Sequence, residues 1–87
     1  MMTKNQLYQT FSANLKRLRK HHNLTQQKVA DVLGVGMKAY QAWEEKRGMA
    51  QVLQLLALCE LFFCDLTDLL TKDIKVGKKL GKLDLKA

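Results

Sequence analysis

Few side chains in this sequence are of the kinds that perform covalent chemistry or hold a metal, and their spacing keeps them apart. Cys59 and Cys64 lie five residues apart in an apolar stretch and form no Cys-x-x-Cys pair, which is typical of small core residues. His21 and His22 are adjacent, so on a helix they point about 100° apart and cannot share a metal. No Ser/His/Asp set, phosphate loop or pair of pocket carboxylates is recognisable. We therefore expect no catalytic site, no metal and no cofactor.

The remaining polar groups are cationic and amide side chains, which bind phosphates and hydrogen-bond to the edges of nucleic-acid bases. The chain has 15 Lys and Arg against 8 Asp and Glu, a formal net charge of +7. Residues 1–71 contain nine basic and six acidic groups, and residues 72–87 contain six lysines and two aspartates. Such an excess also serves solubility, so on its own it favours a nucleic-acid partner only modestly.

The apolar residues that must position these groups recur at helical spacing. The first segment has one amphipathic stripe, formed by Leu7, Phe11, Leu15 and Leu18. The chain has no proline and only five glycines, and nothing divides it into short strands, so we expect one all-α domain. The pattern predicts five helices, over residues 4–22, 26–33, 37–45, 50–62 and 66–70.

The last two predicted helices carry most of the leucines. On the fourth helix the spacing predicts an inward face made of Val52, Leu55, Leu56, Cys59 and Phe62. On the fifth helix Leu66, Leu69 and Leu70 exceed what one small core should need. We therefore expect the fifth helix and the segment after it to form a dimer interface.

The composition changes near residue 72, where Lys and Gly begin to dominate. We therefore expect a domain over residues 1–72 and a basic tail over residues 73–87. The tail has three interpretations: a disordered lysine arm that steers DNA, a dimerisation arm, or a basic amphipathic helix on a membrane. Gly77 and Gly81 weaken helix formation and make the membrane helix the least favoured.

A helix-turn-helix accounts for residues 26–45. Two short helices that cross at roughly 90–120° need a small residue at the crossing, and Ala30 stands there. The turn must leave the first helix through positive φ, which Gly34 tolerates best. Apolar side chains at the spacing that would join the two helices are Val29, Leu33, Val35, Tyr40 and Trp43.

These residues resemble the phage repressor/Cro-like, Xre-type helix-turn-helix family over residues 14–70. The matching stretches are Leu15-Lys16-Arg17-Leu18-Arg19, Leu24-Thr25-Gln26-Gln27, Ala30, Leu33-Gly34-Val35, Trp43-Glu44 and Asp65-Leu66-Thr67-Asp68-Leu69-Leu70. The resemblance implies a compact five-helix lambda-repressor-like domain, dimeric, whose third helix reads DNA. It also implies phosphate contacts from Thr25 and Gln26, and a structural ion pair between Arg19 and Glu44.

The sequence departs from the family pattern at three positions. Gly36 stands where the family has Ser or Thr, so we expect the third helix to lack a hydroxyl cap and one phosphate contact. Lys46 replaces the usual glycine after the Trp-Glu pair, and no proline begins the fourth helix. Phe63 occupies a turn position usually held by Gly or Asn, where positive φ would strain a bulky residue.

The third helix presents an outward face once Tyr40 and Trp43 are placed in the core. We expect Lys38 and Gln41 to meet base edges, and Met37 and Ala42 to make apolar contacts, for example with thymine methyls. The alternative is that Lys38 and Gln41 only belong to a solvated face of the helix. Lys28, Lys46 and Arg47 are expected to contact phosphates, with ordinary surface charge as the alternative.

The function expected from these features is sequence-specific binding of double-stranded DNA by a homodimeric transcription regulator, a repressor or a small autoregulatory controller. The alternatives are the DNA-binding antitoxin of a toxin–antitoxin pair and a protein-interaction module that has lost DNA binding. No segment has the roughly 18 apolar residues that span a bilayer, and residues 1–11 lack a signal-peptide core. We therefore expect a cytoplasmic protein of a bacterium or phage, without membrane contact.

Overall fold

The computed structural model describes residues 1–75, and these residues form five α-helices and no strands, which confirms the all-α prediction. The helices are α1 (Lys4–His21), α2 (Gln26–Leu33), α3 (Met37–Glu44), α4 (Val52–Phe62) and α5 (Leu66–Thr71). α1 packs against both α3 and α5, while α2 contacts α3 and α4. None of the five is long and apolar enough to cross a membrane. The part of the predicted basic tail from residue 76 onward lies outside the described residues.

The helix N-termini are set by local hydrogen bonds. At α1 the capping box is present: the Gln6 N–H donates to Thr3 Oγ1 at 3.1 Å, and the Thr3 N–H donates to Gln6 Oε1 at 2.8 Å. At α4 the Gln51 N–H donates to Gln54 Oε1 at 2.8 Å. This bond places the N-cap at Gln51, so the predicted start of α4 at residue 50 is two residues too early.

Four described residues have left-handed backbone conformations. Gly34 (φ 71°) ends α2 and Asn23 (φ 58°) follows α1, as their residue types predict. Lys46 (φ 65°) and Phe63 (φ 56°) are left-handed as well, at two of the positions where the sequence departs from the family pattern that it resembles. Side chains with a Cβ pay about 1–2 kcal/mol for this conformation, so the fold tolerates strain on both sides of α4.

α4 is rotated relative to the face predicted for it. Leu55, Leu58 and Phe62 are buried, whereas Val52 and Leu56 are exposed. The prediction that Val52 and Leu56 face the core was therefore wrong, and the burial of Leu58 was not predicted. Almost every position of α4 is apolar, so spacing alone selects no face and packing against α2 and α5 decides it.

The leucines of α5 belong to the core. Leu69 is fully buried, and Leu66 and Leu70 are partly buried and packed against the main cluster. The argument that these three leucines exceed the needs of the core was therefore wrong. The large apolar side chains left exposed lie elsewhere, chiefly on α4.

A buried asparagine fastens the end of α5 to α1. The Asn14 amide donates to the carbonyls of Leu69 at 2.8 Å and Lys72 at 2.6 Å, and its Oδ1 accepts from the Ile74 N–H at 2.9 Å. The Arg17 guanidinium donates to the Ile74 carbonyl at 2.9 Å. These bonds satisfy carbonyls that the helix end leaves open and hold the chain against α1 as far as Ile74.

The two cysteines are free and half-buried, packed against the core. Burial raises the pKa of the Cys64 thiol to about 12 and also raises the pKa of Cys59. Since the thiolate is the reactive form, both side chains are apolar packing groups at neutral pH. Within residues 1–75, no group of three or more His, Cys, Asp or Glu residues is arranged to hold a metal ion.

Candidate nucleic-acid interface

The α2–turn–α3 unit is built from the residues that the sequence singled out. Ala30 is fully buried, and its carbonyl accepts from the Val35 N–H at 3.0 Å, which closes the turn through left-handed Gly34. On α3, Tyr40 and Trp43 are buried with ring centroids 5.6 Å apart. The two short helices are thus joined by apolar packing, and the opposite side of α3 is left outward.

A buried carboxylate anchors the C-terminal end of α3. Glu44 is almost wholly buried, and Arg19 binds it with two hydrogen bonds, Nε to Oε2 at 2.6 Å and Nη2 to Oε1 at 3.1 Å. Tyr40 Oη donates to Oε2 at 2.5 Å, and Gln26 Nε2 donates to Oε1 at 3.0 Å. Four donors on three helices therefore converge on one carboxylate.

The pKa shifts in this cluster keep it charged. Burial by itself raises the pKa of Glu44, but hydrogen bonds from Arg19, Tyr40 and Gln26 outweigh burial and hold that pKa below its usual value. The hydrogen bond to Glu44 raises the pKa of Arg19. Burial, followed by the hydrogen bond to Glu44, raises the pKa of Tyr40. At neutral pH the cluster is a carboxylate, a guanidinium and a neutral phenol.

The cluster ties α1, the start of α2 and the end of α3 to one another. Ser12 of α1 adds a buried bond, donating from Oγ to the Glu44 carbonyl at 2.5 Å. A charge-assisted, bidentate Arg–carboxylate pair has a fixed geometry, so it restrains both the position and the rotation of α3. The sequence identified Arg19 and Glu44 through the family resemblance, but nothing in the sequence indicated that Tyr40, Gln26 and Ser12 join them.

The outward face of α3 is open. Lys38 is exposed, and Met37, Gln41 and Ala42 are half-buried. Among the described residues, no hydrogen bond or ion pair occupies the Lys38 ammonium or the Gln41 amide. Ala39, the residue after Lys38, is also exposed and flanks the same face, although it was not among the residues predicted to contact DNA. This face offers one cation and one amide framed by small or flexible apolar side chains.

The start of α2 presents a second set of donors beside α3. Thr25 is exposed as the N-cap, and its Oγ1 accepts from the Lys28 N–H at 3.0 Å. Lys28 itself is exposed. A helix N-terminus carries partial positive charge and backbone N–H groups that suit an anion. Gln26 is half-buried and its amide nitrogen is held by Glu44, so its main observed role is to orient the start of α2.

Two more cations follow α3 directly. Lys46 and Arg47 are both exposed. The Arg47 guanidinium pairs with Glu45, from Nε at 2.9 Å and Nη2 at 2.8 Å, whereas among residues 1–75 no carboxylate pairs with Lys46. Gly36, the N-cap of α3, makes no side-chain cap bond, as predicted. Lys28, Lys38 and Lys46 are therefore the predicted contact residues whose exposed side chains have no partner among the described residues.

The comparison with protein families agrees with this architecture. A family model described as helix-turn-helix matches residues 15–69, a range that runs from the middle of α1 into α5. No curated protein and no solved structure matches the chain significantly. The matched range contains the buried Arg19–Glu44 pair, the α2–turn–α3 unit and the whole outward face of α3.

Proposed function

The chain belongs to the Xre-type, phage repressor/Cro-like helix-turn-helix family, and from this premise we propose that it is a sequence-specific transcription regulator. In this proposal α3 lies in the major groove of double-stranded DNA, with Lys38 and Gln41 on base edges. Thr25 and the start of α2 contact the phosphates of one DNA strand, and Lys28 and Lys46 contact phosphates nearby. The protein acts in the cytoplasm of a bacterium or a phage-infected cell.

The observation that carries the proposal is the contrast between the buried face and the exposed face of α3. Inward, Tyr40 and Glu44 are locked into a buried network that fixes the helix. Outward, Lys38 projects into solvent with no protein partner among the described residues. A rigid helix that presents unpaired hydrogen-bonding groups is what base reading requires, because the readout depends on placing donors at fixed positions.

The first test is the salt dependence of binding to duplex DNA. If about six phosphates are neutralised, the plot of log affinity against log salt concentration has a slope near −5. Lys28→Ala is expected to reduce the magnitude of the slope by about one. Lys72→Ala is the matched control, because this lysine pairs with Asp68 at the end of α5 and lies outside the proposed interface. A slope near zero for the parent protein would rule out the proposed function.

We propose that the working unit is a homodimer, since one small domain contacts too few bases for a specific site. The second copy docks on α4, where Val52 (65% exposed), Leu53 (80%) and Leu56 (45%) form an apolar strip. A two-fold interface joins the same patch on both copies, so an apolar strip can cover itself. This placement replaces the α5 leucines, which the core already uses.

If the dimer forms through α4, two substitutions of exposed apolar residues are expected to differ in their effect on it. Leu53→Glu places a charge in the α4 strip and is expected to give a monomer in sedimentation that protects one half-site. Val32→Glu puts the same charge on α2, at a residue that is 53% exposed, and is expected to leave the dimer intact. A parent protein that is monomeric both free and on DNA would contradict the dimer.

The α4 strip also supports a second candidate function, the DNA-binding antitoxin. In that role a toxin, rather than a second copy, covers Val52, Leu53 and Leu56. Co-expression with the product of the adjacent gene distinguishes the two, since an antitoxin forms a complex that Leu53→Glu disrupts while DNA binding by α3 persists. The repressor or autoregulatory role predicts no such complex.

A further inference from the structure

A cleft of about 590 Å³ lies along α1 on the side where the loop after α3 approaches it. Its walls carry four cationic side chains and a single carboxylate: Lys16, Arg17, Lys20, Lys46 and Asp73. None of the α1 residues in this group was assigned a contact with DNA, because the predicted contacts lie at the start of α2, on α3 and in the loop that follows it. The α1 side of the cleft is thus a cationic surface that the proposed function has not used.

The charges in the cleft are available to a ligand. Lys16 and Lys20 lie one turn apart on α1 and are exposed, and within residues 1–75 neither is paired with a carboxylate. Lys46, in the loop after α3, lines the same cleft. Arg17 is engaged by Asn14 and the Ile74 carbonyl, so it contributes charge but fewer free donors. Thr10, half-buried in the same wall, adds a neutral hydroxyl. Three free ammonium groups and a hydroxyl favour phosphate oxygens.

We infer that this cleft binds phosphates of the DNA backbone beyond the segment that α3 reads. Lys46 carries the inference, because it is the second residue after α3 and also a wall of the cleft. A strand that passes the C-terminal end of α3 therefore continues onto α1. Lys16 and Lys20 lie one turn apart on α1 and Lys46 lies in the loop after α3, an arrangement that suits successive phosphates on a strand. The inference rests on the proposed function and extends its footprint to α1.

The test compares Lys16→Ala/Lys20→Ala with the parent protein on two duplexes. Both contain the site selected from random DNA; one ends at the edges of that site and the other continues into flanking sequence. On the long duplex the double variant is expected to reduce the magnitude of the salt slope by about two. On the trimmed duplex it binds like the parent. Base preference is expected to be unchanged, because phosphate contacts carry no direct sequence information.

The matched control removes the same charge elsewhere. Lys4 lies over the Tyr8 ring at the start of α1 and Lys72 pairs with Asp68, so Lys4→Ala/Lys72→Ala is expected to keep the parental slope on the long duplex. All four lysines are exposed, and thermal melting verifies that both double variants fold.

A salt slope of Lys16→Ala/Lys20→Ala that equals the slope of the parent protein overturns the inference but not the proposed DNA binding. A loss of equal size on both duplexes also overturns it. A parent protein that binds no duplex overturns the proposed function as well.

A separate arm addresses free phosphate as the source of the same chemistry. Inorganic phosphate is titrated into the parent protein without DNA, and the amide shifts of Thr10, Lys16 and Lys20 are followed by NMR. Non-saturating shifts are expected if the cleft takes phosphates only from a DNA strand. Saturable binding that Lys16→Ala/Lys20→Ala abolishes identifies a free anion as the ligand and overturns the assignment to DNA.

Discussion

Replacing Arg19 with alanine is expected to lower the free energy of unfolding by about 3–5 kcal/mol. The substitution leaves Glu44, whose side chain is 1% exposed, without the guanidinium that compensates its burial. Tyr40 and Gln26 still donate to the carboxylate, but neither carries a charge. A loss of this size is a large part of the stability of a small domain, so chemical denaturation measures it directly.

Two controls separate the stranded charge from the loss of a side chain. Lys20→Ala removes an exposed cation next to Arg19 and is expected to change stability by less than about 0.5 kcal/mol. Arg19→Ala/Glu44→Gln removes both charges, and we expect it to be more stable than Arg19→Ala because no unpaired ion remains buried. If Arg19→Ala unfolds at the same denaturant concentration as the parent protein, the Arg19–Glu44 pair contributes little to the free energy of unfolding.

The pH dependence supplies an independent check on the same pair. The pKa of Glu44 is lower in the folded protein than its usual value of 4.5, so the carboxylate contributes stability above that value. This contribution is lost as the pH falls through the folded-state pKa. In Arg19→Ala the guanidinium that lowers the pKa is gone, so the difference in stability from the parent is expected to shrink between neutral pH and about pH 3.

The sequence was sufficient for the features that local chemistry decides. Thr3 and Thr25 marked two N-termini and Gly34 marked the turn, because caps and positive φ depend on residue type within a few positions. The face of α4 could not be obtained in the same way. Nine of its eleven positions are apolar, and periodicity selects a buried face only where polar residues supply contrast. Packing against neighbouring helices selected Leu58 over Leu56.

Contacts between residues far apart in the chain could not be predicted from the sequence either. Asn14 reads as an ordinary polar residue on α1, yet it binds carbonyls 55 and 58 residues away. The Gln26 amide was assigned to DNA from family resemblance, and in the structure its nitrogen is held by Glu44. The cationic cleft combines Lys16 and Lys20 with Lys46 only after the loop beyond α3 folds back along α1. Such juxtapositions depend on the tertiary fold and leave no signature at fixed spacing.

Replacing Lys38 with alanine is expected to weaken binding to the selected site by about 1–3 kcal/mol and to relax the preference at one base pair in each half-site. Lys38 is the second residue of α3 and is exposed, and in the proposed complex its ammonium donates to guanine O6 and N7. Gln41 lies one turn later and can bond adenine N6 and N7 in the same groove. The buried hydrogen bonds to Glu44 fix the position of α3, from which both side chains extend.

The comparison that decides the role of Lys38 is between base preference and overall affinity. Lys28→Ala removes the same charge from α2 and is expected to weaken all sequences alike, with a smaller salt slope and an unchanged preference. Selection from random DNA with the parent, Lys38→Ala and Lys28→Ala gives three base-preference profiles to compare. Because Lys38 is exposed and unpaired in the described structure, its loss should leave stability unchanged, and thermal melting verifies this. If the Lys38→Ala profile equals that of the parent at every position, α3 does not read bases through Lys38, and the lysine contributes only charge.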